Sequence, residues 1–239
     1  MSKKYKGKLC VYCCSAQATS ADHVFAREFF LISHRSNLPQ VPACDHCNCK
    51  KASLEHYLTA VLPFGGKHAA ALETLRDLVP KRLEKNKRLK RELAGGMSSG
   101  WLKENGLFLP GGTVPLDWSK LEALCELIAR GLLWFHWRTL LRPEDVVEVH
   151  APTELGEQFF TTVLSLRAAN RVRIDLAGGT VSYEGIQASE PLQLSAWRIS
   201  LYGGLTMGGR EFPRQRSNSV GIITGPSSIR SIFQHPAWE

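Results

Sequence analysis

The sequence predicts an α+β protein: an N-terminal cysteine-clamped module, a helical extension, and a C-terminal helix with a mainly antiparallel sheet. Three observations carry this. Two Cys-x-x-Cys pairs, Cys10/Cys13 and Cys44/Cys47, enclose residues 14 to 43. Leu121, Leu124, Ile128, Leu132 and Phe135 recur at helical spacing over about 118–141. After Pro143 the chain turns to short β-branched and aromatic runs separated by turn signals.

Taken in order, residues 1–62 form the clamped module. KLCVYC (8–13) reads as a short strand entering a knuckle, and VFAREFFLI (24–32) as a strand running into a helical turn. A helix follows from Asn48 to about Leu62, stopped by Pro63 and Gly65-Gly66. Residues 63–115 are a basic helical extension and linker. Its helical part, 68–94, is interrupted or kinked near Pro80, and the Gly/Ser/Pro-rich stretch 95–115 reads as linker and loop. Residues 116–239 are an α+β domain whose role the sequence does not give. Asp117 or Ser119 caps its helix. Strands follow at 146–150, 159–164, 171–176, 180–186, 192–204 and 219–224, with Gly178-Gly179 as a hairpin turn.

The chain has 239 residues and a formal net charge of +8. Residues 1–100 hold 17 Lys and Arg against 8 acids, and residues 101–239 hold 13 against 14. The excess is therefore N-terminal, on the segment that carries the cysteines, and points to a polyanion partner. No apolar run approaches the roughly 20 residues that span a bilayer, so no membrane partner is expected. The start, MSKKYKGK, lacks an apolar region of the secretory type. Seven cysteines, mostly clustered, suit metal ligation in a reducing compartment, and the expected location is cytoplasmic.

The chemistry lies between the knuckles. Four thiolates from two Cys-x-x-Cys pairs match the tetrahedral shell of a structural zinc. Asp22-His23 and Asn48 add a carboxylate, an imidazole and an amide. Carboxylate and amide oxygens are hard ligands that Mg²⁺ or Mn²⁺ accepts. A neutral imidazole off the metal is a base near pH 7. Such a set fits metal-assisted hydrolysis of a phosphodiester.

Read in order, Cys10 and Cys13, Asp22-His23, Asn37-Leu38, Cys44 and Cys47, Asn48 and Lys51 resemble the HNH endonuclease family, in particular its zinc-stapled bacterial and phage branch. The resemblance covers about residues 8–60. It implies a ββα-metal unit in which a hairpin and a helix share one catalytic divalent ion. It further implies His23 as general base, Asp22 and Asn48 as ligands of that ion, and Asn37 as a brace that orients His23. The implied activity is DNA cleavage, in the setting of bacterial defence or mobile elements. The chain departs from the family pattern at Asn48, where histidine is usual, and at Phe25, which replaces proline. Cys14 stands where glycine commonly follows the first knuckle; like the extra Cys49 it reads as a bystander, with a strained turn or competition for zinc as the alternative.

Lys50, Lys51, Lys81, Arg82, Lys85, Lys87, Arg88, Lys90 and Arg91 are the candidate nucleic-acid contacts. Glu55 and His56, two turns along the helix from Asn48, are within reach of the same site. The other histidines, His235 included, read as structural or exposed. Two alternatives use the same residues: a non-catalytic zinc module that recruits nucleic acid, and a ribonuclease, since the chemistry reads phosphate rather than sugar. The C-terminal domain, without basic excess, is assigned to oligomerisation, docking of a protein partner or substrate selection.

Overall fold

The structure is a computed structural model that describes residues 3–5, 7–104, 107–167, 170–207 and 218–234. His235 lies outside them. The first two strands, β1 (Ser20–His23) and β2 (Gln40–Ala43), pair antiparallel with Asp22 opposite Val41 and His23 opposite Gln40. Helix α1 (Asp45–Val61) follows directly. Asp45 sits in its first turn, where the exposed amides favour an acid, and Pro63 ends the run.

Residues 8–13 are not a strand. They form a turn closed by Cys10 N to Ala16 O (2.9 Å) and Cys14 N to Cys10 O (2.9 Å), joined to β2 by Val11 N to Pro42 O (3.1 Å). The segment 24–32 is likewise no strand. It winds into short 3₁₀ turns at Arg27–Phe29 and Ile32–His34, because burying Phe25, Phe29 and Phe30 together needs a compact path. Each such side chain contributes about 1.5–3 kcal/mol on full burial.

The extension is interrupted near Pro80, as expected, and a second time at Asn86, giving three helices: α2 (Ala69–Asp77), α3 (Val79–Lys85) and α4 (Lys87–Gly96). Pro80 fits the first turn of α3, where its missing N–H costs nothing. Asn86 makes the second break by capping α4, its side chain accepting from Leu89 N (3.0 Å). The expected loop contains a hairpin, β3 (Ser98–Glu104) with β4 (Leu107–Thr113). Its Gly/Ser/Pro composition hides pairing that is carried by the backbone.

Helix α5 (Trp118–Trp137) ends earlier than predicted, at Arg138, whose φ of 57° is the left-handed stop that glycine usually provides. Asp117 occupies the N-cap position but makes no cap bond and instead accepts from the Ser119 hydroxyl (2.6 Å). After β5 (Val146–His150) the predicted strand 159–164 is helical, part of α6 (Glu154–Ser165). Thr153 caps it through Gly156 N (3.4 Å), and Phe160 and Leu164, one turn apart, face Ile186, Ala196 and Ile223 of the sheet. Strands β6 (Asn170–Leu176), β7 (Val181–Gln187), β8 (Ser195–Leu201) and β9 (Val220–Gly225) complete a five-stranded antiparallel sheet of order β5-β9-β8-β7-β6.

Helix α6 packs on one face of this sheet. On the other, one buried cluster runs from Tyr5 through α5 to Ile222. Tyr5 meets Trp134 edge-on (5.5 Å), Phe25 lies 5.4 Å from Tyr183, and Phe29 meets Tyr202 (6.1 Å). Gly131 lets α5 approach the end of β1: a Cβ there would lie 3.1 Å from Val24 Cγ2. The three segments defined by sequence thus share a core. Among the described residues, no helix is long and apolar enough to cross a membrane.

Candidate metal centre and the acid cluster beside it

Cys10 and Cys13 lie in the first turn, Cys44 at the start of α1 and Cys47 one turn along it. Their four sulfurs lie within 4.8 Å of one another, with Cys13 and Cys44 Sγ 4.0 Å apart. A tetrahedral zinc with Zn–S near 2.3 Å needs sulfurs about 3.8 Å apart, so the group can hold such an ion. Burial opposes ionisation of Cys13, but the Ser15 hydroxyl and the Ala16 and Ser15 amides outweigh it and bring that thiol down to about 6. Burial pushes Cys10 and Cys47 up.

Cys14 is not one of the four clustered sulfurs. Its φ is 53°, the glycine-like conformation expected at this turn, and its thiol points to Leu141 O (3.0 Å), linking the knuckle to the chain after α5. Cys49 is exposed. Cys125 is sealed in α5, where burial raises its thiol to about 12.

Beside the sulfurs lies a buried acid cluster. Ser20 and Asp22 share the face of β1 that meets α1. Asn48 Nδ2 reaches Ser20 Oγ (3.5 Å), which leaves the amide oxygen as the open end of that side chain. One turn on, Lys51 is fully buried and donates to Asp22 Oδ2 (3.0 Å), His23 O (2.6 Å) and Glu55 Oε1. Tyr12, between the first two cysteines, donates to the same Asp22 oxygen (2.6 Å). Burial raises both the Tyr12 phenol and the Glu55 carboxyl, with Lys51 opposing the latter shift. Lys51, expected to touch nucleic acid, cannot do so from here: its ammonium is spent on three internal oxygens.

His23 stands apart from this cluster. Alternation along β1 turns its ring to the opposite face from Asp22, where Gln40 Nε2 lies 2.9 Å from His23 Nε2. With the Gln40 amide nitrogen as donor, this ring nitrogen accepts. Burial lowers the imidazole pKa, which favours the neutral ring at pH 7. The side chain that meets the His23 ring is that of Gln40. Asn37 is exposed and left-handed (φ 58°), shaping the turn before β2. Gln40, Tyr12 and Ser20 were missed because only the strand register and the path of the knuckle show what they face. Glu55 reaches the cluster as its helical spacing allowed, whereas His56 is exposed.

Lys50, Lys81, Lys85, Lys87, Arg88, Lys90 and Arg91 are exposed, with Arg88 bonded to Glu92 (2.8 Å). Arg82 is half-buried. Its guanidinium donates to Thr59 O (2.6 Å) and Glu28 O (2.7 Å), fastening α3 to α1 and to the segment after β1. Burial lowers its pKa. Leu89 and Leu93 pack on Ala60 and Val61, which leaves the basic side of α4 facing outward. No family model matches this chain, nor does any curated protein or solved structure.

Proposed function

We propose that residues 8–61 form a zinc-stapled unit of the HNH type that hydrolyses DNA phosphodiester bonds with one Mg²⁺ or Mn²⁺. The observation that carries this reading is a hairpin and helix that bring Asp22 and the Asn48 amide to one interface, with His23 as the next residue of the strand. The donors suit a hard cation: a carboxylate whose two contacts both fall on Oδ2, and an amide oxygen. When bound, that ion would neutralise charge on the leaving 3′ oxygen.

In this reading His23, neutral at pH 7, takes the proton of the attacking water through the ring nitrogen that Gln40 now meets. Asp22 and Asn48 hold the ion's place, and Lys51 ties the backbone of the base to α1. The phosphate must then reach the end of β1, where ring and carboxylate emerge on either side of the strand. Exposed bases on α3 and α4, secured beside that strand by Arg82, supply backbone contacts to DNA.

A second reading, a non-catalytic zinc module that binds nucleic acid, is favoured by one observation: Asp22 already has a cation, Lys51. Purified protein incubated with supercoiled plasmid in Mg²⁺, Mn²⁺ and EDTA separates the two. Nicking that needs divalent ion supports the nuclease. Salt-sensitive binding without nicks supports the module, and cleavage confined to a matched RNA makes it a ribonuclease.

A further inference from the structure

The ammonium of Lys51 lies within a ring of oxygens that would equally suit a metal ion: a carboxylate, a main-chain carbonyl and a second carboxylate. The two acids compete for one lysine. Lys51 and Glu55 are one turn apart on α1, so that pair persists whatever happens to the hairpin. The pair with Asp22 joins helix to strand and is the one that can be exchanged.

We infer that Lys51 is a tethered competitor for the divalent ion at Asp22, and that Glu55 is the seat that retains the lysine when the ion binds. The inference rests on the hydrolytic reading for the identity of the ion. Charge counting supports it. Asp22, Glu55 and Lys51 together carry one net negative charge, a divalent ion reverses it, and one phosphodiester then restores neutrality. Ion and DNA therefore bind cooperatively, each lowering the cost of burying the other's charge. Without Glu55, an ion at Asp22 would face an uncompensated buried ammonium.

The test is Mn²⁺ titration of the zinc-loaded full chain, by calorimetry and by loss of the free-ion EPR signal, with and without a short DNA duplex. Asp22→Asn is expected to abolish binding. Lys51→Met is expected to bind Mn²⁺ at least about tenfold more tightly than wild type, and Glu55→Gln at least about tenfold more weakly, the range by which neighbours of metal ligands act. The opposite signs matter, because general destabilisation cannot produce both. Mn²⁺ bound at Asp22 with the same affinity in wild type, Lys51→Met and Glu55→Gln would overturn the competitor role while leaving the nuclease reading intact. Failure of every variant to bind Mn²⁺, with or without DNA, would overturn both.

Discussion

Tyr12, lodged between Cys10 and Cys13, donates its hydroxyl hydrogen to Asp22 Oδ2 over 2.6 Å. One residue of the sulfur knuckle thus holds the acid on β1, so the four-cysteine group and the acid cluster are mechanically a single unit. Tyr12→Phe removes that bond and leaves the ring in place. It is expected to lower stability by about 1–3 kcal/mol, the usual cost of a hydrogen bond to a buried charged group, measured by urea unfolding with zinc content unchanged.

Removing the metal should act far beyond the first sixty residues. Structural zinc contributes folding free energy directly, and Cys14 ties the knuckle to Leu141. Cys44→Ser, or chelation, is expected to cost at least about 4 kcal/mol and to lower the melting temperature of the whole chain by roughly 10 °C or more. Calorimetry beside zinc analysis checks this: one cooperative transition moving downward is the predicted outcome.

A fragment ending at residue 115 should not fold alone. Phe25 packs on Tyr183, Phe29 on Tyr202 and Val24 against Gly131, so truncation would expose fully buried aromatic surface. The expected proton–nitrogen NMR spectrum is collapsed even with zinc present. A dispersed spectrum would show that the N-terminal unit stands alone.

His136 sits where α5 meets the sheet, its Nε2 3.1 Å from the Tyr183 hydroxyl, and burial lowers its pKa to about 4. The unfolded imidazole titrates near 6.5, so the unfolded state takes up the proton first as pH falls. The stability this neutral ring contributes is complete above about 6.5 and is lost progressively down to about 4. One proton sets a ceiling of about 1.4 kcal/mol per pH unit, and solvent access to the partly exposed ring reduces it. His136→Gln keeps a hydrogen-bonding partner for Tyr183 and should flatten the acid limb of a stability-against-pH curve.

Where one element's residues were self-sufficient, the sequence was legible. The stripe on α5, the strand 146–150 and the Gly178-Gly179 turn between β6 and β7 all emerge from local pattern. FFTTVL misled because β-branched and aromatic residues favour strands, whereas Thr153 upstream and the apolar sheet face selected a helix. The hairpin at 98–113 stayed hidden because its pairing is made by the backbone. In the candidate site the cysteines could be found by spacing alone. The fate of Lys51 could not, because its burial depends on β1 docking against α1. A lysine in a basic run looks like a surface contact until the strand that neutralises it is in place.

The central claim is that His23 is the base of a phosphodiester hydrolysis. It is tested most directly by comparing plasmid nicking in Mn²⁺ by wild type and by His23→Ala, each with zinc bound and equally folded. The account predicts a rate lowered about 10²–10⁴-fold, the usual contribution of a positioned general base. Undiminished nicking by His23→Ala would contradict it.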